Sequence, residues 1–353
     1  MIRRGLYLAG IITLCAPSAG AQEAMWPTTT WARSTPARQG LDAAPLEELH
    51  RAVQSGRYGN TDRLVVIRHG YVVVDHDYGL DYREISRGYR GPLGCGYEAC
   101  DASWMHDFNY YHPDYHPYYQ GRSVHSLQSV TKSISATTLG VVIQNGALAG
   151  LDAPLLSFFG DYDLSSIDPR LRAATLRDLL TMRSGIEWHE SDRPLDASNT
   201  TIQLERSEDW IQFTLDQPMD TDPGEKWAYN SGGSQLMSGI VREVTGEHMD
   251  AYAQRHLFAP LGIEDFYWKK TPRGYPDALG GLYLEALDLA KIGYLYLNDG
   301  VWAGRRILPP GWVDQATQRH VAAVNQAGWG YGYQWWRPDR GGVDVWAGLG
   351  FGG

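Results

Sequence analysis

Ser129 and Lys132 have the clearest chemical potential in the chain. They form its only Ser-x-x-Lys, inside His125-Ser126-Leu127-Gln128-Ser129-Val130-Thr131-Lys132-Ser133-Ile134. Lysine is scarce, standing only at 132, 226, 269, 270 and 291. A serine hydroxyl is a weak nucleophile until a neighbouring base takes its proton. A lysine is such a base where burial disfavours its ammonium form. As two letters alone, the pair reads more simply as a capping serine and a solvated lysine. A second stretch is Pro223-Gly224-Glu225-Lys226-Trp227-Ala228-Tyr229-Asn230-Ser231-Gly232-Gly233. The Tyr229 phenol could shuttle a proton beside an ammonium, and Asn230 and Ser231 could hydrogen-bond the lysine or a substrate. Alone, that stretch reads equally well as a helix cap behind a core tyrosine.

The elements that must position these groups show in the hydrophobic pattern. Ile134, Ala136, Leu139, Val142, Ile143 and Leu148 recur at helical spacing. Ser129 therefore falls in the first turn of a helix, with Lys132 one turn on and on the same face. The helix N-terminus adds partial positive charge there. Upstream, the pattern predicts a helix over about 43–55 and a hairpin turning at His69-Gly70. A helix followed by a hairpin points to an antiparallel sheet covered by helices. Thr175 and Asp178 form a capping box for a helix ending at Ser184-Gly185. Helical patterns follow at about 204–216, 231–246, 249–258 and 285–297. After 300, glycine and tryptophan dominate, which predicts a return to the sheet. The class is α/β (α+β), one unit over 22–353, with a sheet-bearing part (about 40–120 and 300–353) and a helical part (about 121–299).

Composition narrows the function classes. The chain is 43% hydrophobic and 20% charged, which is globular, and 353 residues can bury a large core. Its net charge of −10 argues against a nucleic-acid partner. Arg3, Arg4, the apolar run Leu6 to Ala16 and Ala19-Gly20-Ala21 read as a signal peptide cleaved after Ala21, hence a periplasmic or secreted protein. No stretch is long enough for a stable membrane span. Leu14 before Cys15 disfavours lipidation. Cys95 and Cys100 would either close a small disulfide loop or stay free thiols. Residues 80–122 fit no period, and a loop this long is expected to line the site mouth. Its His106, His112 and His116 raise a metal reading, which Pro113 and Pro117 weaken by breaking ligand spacing.

Other catalytic signatures are missing. There is no Gly-x-Ser-x-Gly elbow and no His-Glu-x-x-His. Gly348, Gly350 and Gly353 satisfy a dinucleotide spacing but open no helix. No cofactor is implied.

Taken in order, Ser129-Val130-Thr131-Lys132, Leu179-Leu180-Thr181-Met182-Arg183-Ser184-Gly185, Trp227-Ala228-Tyr229-Asn230-Ser231-Gly232-Gly233 and Asp288 to Leu295 resemble serine hydrolases of the β-lactamase/penicillin-binding superfamily. The chain looks most like the class C-related branch, which includes class C β-lactamases, D-amino-acid peptidases, esterases and 6-aminohexanoate-dimer hydrolases. The resemblance covers about 26–353. It implies a β-lactamase/transpeptidase-like fold, Ser129 as the acylated nucleophile, Lys132 as its proton acceptor and Tyr229 as the relay to the leaving group. It also implies an oxyanion hole from the backbone N–H groups of Ser129 and Phe351. The usual Tyr-x-Asn is Tyr-x-Ser here, which resembles the 6-aminohexanoate-dimer hydrolase side. The third motif falls at Gly348-Leu349-Gly350 without its basic residue, which points away from β-lactams. Members continue beyond this point with core strands and a helix, so a C-terminally incomplete chain is expected, stopping at Gly353.

The resulting expectation is a secreted serine hydrolase cleaving a small ester, amide or peptide through an acyl-enzyme. The alternatives are a β-lactamase proper, or a non-catalytic penicillin-binding-like interaction protein.

Overall fold

The computed structural model describes residues 26–59, 61–81, 123–194, 196–322, 324 and 328–350. The signal-peptide segment, Cys95, Cys100, His106, His112, His116 and Phe351 lie outside the described residues. Among the described residues, no helix is long and apolar enough to cross a membrane.

The expected hairpin is present as β2 (Arg63–Arg68) and β3 (Tyr71–Asp77), with β1 (Ala32–Arg33) parallel to β3 on its other side. His69 and Gly70 both take positive φ, at 51° and 79°. Two such residues make the turn whose twist matches the flanking strands. Helix α1 (Ala43–Gln54) starts at Asp42, whose side chain accepts from the Ala44 N–H. A second antiparallel sheet joins β4 (His125–Ser126), β6 (Leu282–Leu284) and β5 (Phe266–Trp268), with β6 central.

Helix α2 (Val130–Gln144) follows β4 directly and is buried from Thr131 to Val142. A helix enclosed on all faces belongs in the middle of the molecule. Gly140 is required there: a Cβ would sit 2.6 Å from the Trp312 ring. The capping box is formed at α3 (Leu176–Leu180). The single helix expected at 204–216 is instead two, α4 (Thr200–Arg206) and α5 (Trp210–Leu215). Asp209 divides them, because its carboxylate caps the N–H groups of Ile211 and Gln212. Helix α6 (Ser231–Thr245) is capped by Asn230 and ends at Gly246, with φ 72°. The run expected at 249–258 is α7 (Met249–Ala253) continuing as a π-turn over Gln254–Phe258.

Helix α8 (Ala286–Leu297) lies against β2, and the Trp31 indole, just before β1, donates to the Leu287 carbonyl near its start. Beyond it the described chain forms two separate hairpins rather than rejoining the first sheet. They are β7 (Val301–Trp302) with β8 (Arg305–Arg306), and β9 (Gly330–Tyr331) with β10 (Trp336–Arg337). A short helix, α9 (Trp312–Thr317), stands between them. The architecture is α/β: mostly antiparallel sheets with helices packed around a buried α2.

Candidate active site

Two positions before α2, Gln128 takes φ 47°, a left-handed value that a long side chain seldom adopts. Strain of this kind persists where the surroundings over-determine the backbone. It delivers Ser129 to the N-cap position with its hydroxyl making no cap bond. That hydroxyl meets Lys132 instead, whose Nζ donates to Ser129 Oγ at 3.0 Å and to the Leu279 carbonyl at 2.8 Å. Lys132 is only 1% exposed, so the solvated-lysine alternative is removed. Three further hydroxyls of α2 are also committed. Ser133 donates to the Gln334 carbonyl at 2.6 Å, Ser135 to Ala278 at 3.1 Å, and Thr131 Oγ1 accepts from Leu282 N–H at 3.1 Å.

The loop carrying Leu279 is held from three sides. Buried Asp277 accepts from the N–H groups of Leu279 and Gly280 at 3.1 and 2.9 Å. Gln235 of α6 donates to the Pro276 carbonyl at 3.0 Å and accepts from Ala278 N–H at 2.8 Å. The Trp268 indole donates to the Asp277 carbonyl at 2.8 Å. Burial pushes the Asp277 carboxyl above the usual range, against the pull of Lys269, the Gly280 N–H and Lys132. The loop therefore aims a fixed backbone dipole at Lys132. A lysine has three N–H donors, and the two contacts here set the direction of the amine toward Ser129.

Tyr229 reaches the same place from the turn before α6, with Lys132 Nζ 5.0 Å from its ring centroid. The Ala228 N–H donates to the Met182 carbonyl at 3.0 Å, which fixes that turn from the end of α3. Asn230 caps α6 through Gly233 N–H at 2.7 Å, while its buried Nδ2 has no partner among the described residues. Ser231 is occupied by Glu190, at 3.0 Å from its N–H and 2.7 Å from its hydroxyl. The same carboxylate accepts from the Trp188 indole at 3.1 Å. Ser129, Lys132 and Tyr229 thus converge, whereas Asn230 and Ser231 make their described contacts to the helix and to Glu190.

Gly350 lies beside the Ser129 turn: a Cβ there would stand 2.5 Å from the Leu127 carbonyl oxygen. Gly348 likewise lies close to Val130 and Ser133. Beside Tyr229 opens a cavity of about 370 Å³ walled by Trp188, Trp227, Glu187, His189 and Asp192. His189 is held between Asp192 at 2.8 Å and Glu187 at 3.1 Å, and these carboxylates raise its pKa. Among the described residues, no three His, Cys, Asp or Glu side chains are placed to hold a metal ion.

Four groups near the site had no sequence signature. A carbonyl such as that of Leu279 carries none. Glu190 is 41 residues from the serine that it holds. Asp277 falls between the helical patterns at 249–258 and 285–297, and Trp336 stands in a stretch read only as strand and turn.

A model of the beta-lactamase family matches residues 62–353. Among curated proteins, the chain is 27% identical over 201 residues to a 6-aminohexanoate-dimer hydrolase from Paenarthrobacter ureafaciens, covering 54% of this chain and 50% of that one. It is also 27% identical over 243 residues to a lovastatin esterase from Penicillium rubens, covering 55% and 59% respectively. The matches thus span about half to three-fifths of those relatives. Among solved structures, a putative 6-aminohexanoate-dimer hydrolase from Bacillus anthracis superposes with a TM-score of 0.62 at 19% identity, covering 87% of this chain and 71% of that one. At that identity the likeness establishes the fold.

Proposed function

The chain belongs to the beta-lactamase family, and from that premise we propose that it hydrolyses an ester or amide bond through an acyl-enzyme on Ser129. The observation that carries this reading is the buried Lys132 amine bridging Ser129 Oγ and the Leu279 carbonyl. Lys132 takes the Ser129 proton while Oγ attacks the substrate carbonyl. The carbonyl oxygen becomes an oxyanion held by the Ser129 backbone N–H, and the family resemblance assigns the second donor to Phe351, outside the described residues. One such donor is typically worth ~10²–10³ in rate. The tetrahedral intermediate expels its amine or alkoxide, which leaves with a proton passed on by Tyr229 from Lys132. Water then attacks the acyl ester and gives its proton to Lys132, which hands it to the departing Ser129 Oγ, so that the free hydroxyl and the carboxylic acid result.

The reading favours simple esters and linear amides over β-lactams. Position 231 is serine and engages Glu190, and the Gly348-Leu349-Gly350 stretch lacks the basic residue that a β-lactam carboxylate requires. The names of two relatives, a dimer hydrolase and an esterase, agree with this class. We also propose export, on the Arg3 to Ala21 pattern; a mature N-terminus at Gln22 is the expected result of N-terminal sequencing. The activity is tested with a p-nitrophenyl ester. Wild-type turnover should vanish in Ser129→Ala, and unchanged hydrolysis in that variant would falsify the assignment.

A further inference from the structure

Tyr229 is touched from a part of the chain that the acyl-enzyme reading leaves without a role. The Trp336 indole stacks on the Tyr229 ring with centroids 5.8 Å apart and planes at 25°. Trp336 is in turn braced edge-on. Tyr331 stands 5.1 Å away at 89°, Trp227 6.1 Å away at 65° and Trp329 6.2 Å away at 75°. Offset-parallel and edge-to-face pairs are the arrangements that the ring quadrupoles favour. Trp336 is therefore fixed on several sides and offers Tyr229 one flat face.

The backbone of Trp336 makes a second connection. Its N–H and carbonyl pair with Ala347 in both directions at 2.9 Å. From Ala347 the chain runs to Gly348 and Gly350, which lie against Val130 and the Leu127 carbonyl. One residue thus ties the turn that carries Tyr229 to the segment lying along the Ser129 turn. The Tyr229 hydroxyl is moved by rotation about the Cα–Cβ bond, since the Cβ–Cγ rotation leaves it on its axis, and the indole lying against one ring face restricts that swing.

We propose that Trp336 is a positioning residue that holds the Tyr229 phenol where it can pass a proton to the leaving group. The proposal rests on the acyl-enzyme reading, and it predicts a loss that depends on the leaving group. A p-nitrophenolate departs without a proton, so its ester does not need Tyr229 to be aimed. An alkoxide or amine needs the proton. Loss of the stack therefore slows alkyl esters and amides selectively, and acts on kcat more than on KM because the ground-state contacts of the substrate are unchanged.

The test compares Trp336→Ala, Trp336→Leu and Trp336→Phe using a p-nitrophenyl ester and an alkyl ester of the same acid. Ala and Leu should lower kcat on the alkyl ester at least about tenfold more than on the nitrophenyl ester, while Phe, which keeps a stacking face, restores most of it. Leu carries the test where Ala does not fold. Equal losses on both esters, or no loss on either, would overturn the proposal. Ser129→Ala is assayed alongside: if it stays active on both esters, the acyl-enzyme reading has failed rather than the role of Trp336.

Discussion

The carboxylate of Glu190 accepts two hydrogen bonds from Ser231, at 3.0 Å from its backbone N–H and 2.7 Å from its hydroxyl. Ser231 opens α6 and stands two residues after Tyr229, so the pair anchors the turn that presents the phenol. The Trp188 indole secures the carboxylate from behind.

Replacing Glu190 with alanine strands both Ser231 donors in a part-buried site. Unsatisfied groups of this kind cost about 1–3 kcal/mol, read as a drop in urea-unfolding free energy. Ser231→Ala leaves the carboxylate its N–H and indole partners and should cost less. Turnover should fall in Glu190→Ala as the Tyr229 turn loosens, with stability and activity lost together.

Asp277 governs the Leu279 carbonyl that orients Lys132. Asp277→Ala leaves the Leu279 and Gly280 N–H groups without their acceptor and frees the loop. The expected result is a loss of about 1–3 kcal/mol and a lower kcat. Asp277→Asn keeps an acceptor oxygen and should be the milder change in both assays.

Much of this arrangement was legible in the sequence, and what was missed has identifiable causes. The Ser129–Lys132 spacing and the apolar run from Ile134 placed Ser129 at the head of a helix, which is buried, and Thr175 with Asp178 announced a cap that is formed. Those signals are local: a helix repeats its pattern every turn, and a cap reaches only three residues. The break between α4 and α5 was hidden because Leu204, Ile211 and Leu215 keep helical spacing while Asp209 starts a new helix. The partners of the site were hidden for a different reason. Glu190, Leu279 and Trp336 act across long sequence separations, and one of them acts through its backbone.

Glu205 gives a pH-dependent prediction. Burial, helped by Asp277 and Glu190 and opposed by Lys269 and Lys132, raises its carboxyl to about 8. An unfolded glutamate ionises near its ordinary ~4.3. The folded state thus holds a proton that the unfolded state has released. The stability from this group is fully present below the unfolded value and is lost as pH rises through the folded one. Wild type should therefore weaken relative to Glu205→Gln as pH rises from about 4.5 to 8, with a constant difference beyond. Urea unfolding of both proteins at matched pH values measures this, and a difference independent of pH contradicts the assignment.

Gly350→Ala places a methyl 2.5 Å from the Leu127 carbonyl oxygen, an approach that backbone atoms must relieve. The segment beside Ser129 should shift, lowering kcat strongly while the melting temperature changes little. A Gly160→Ala control, where nothing lies within 4 Å of the added carbon and φ is not positive, should leave kcat unchanged.

The central claim is that Ser129 becomes acylated. Intact-protein and peptide mass spectrometry after treatment with a fluorophosphonate, an irreversible serine acceptor mimic, tests it directly. The account predicts one adduct on the peptide containing Ser129, sharply reduced in Lys132→Met and absent in Ser129→Ala. An adduct on another residue, or an unlabelled protein that still hydrolyses esters, would contradict it.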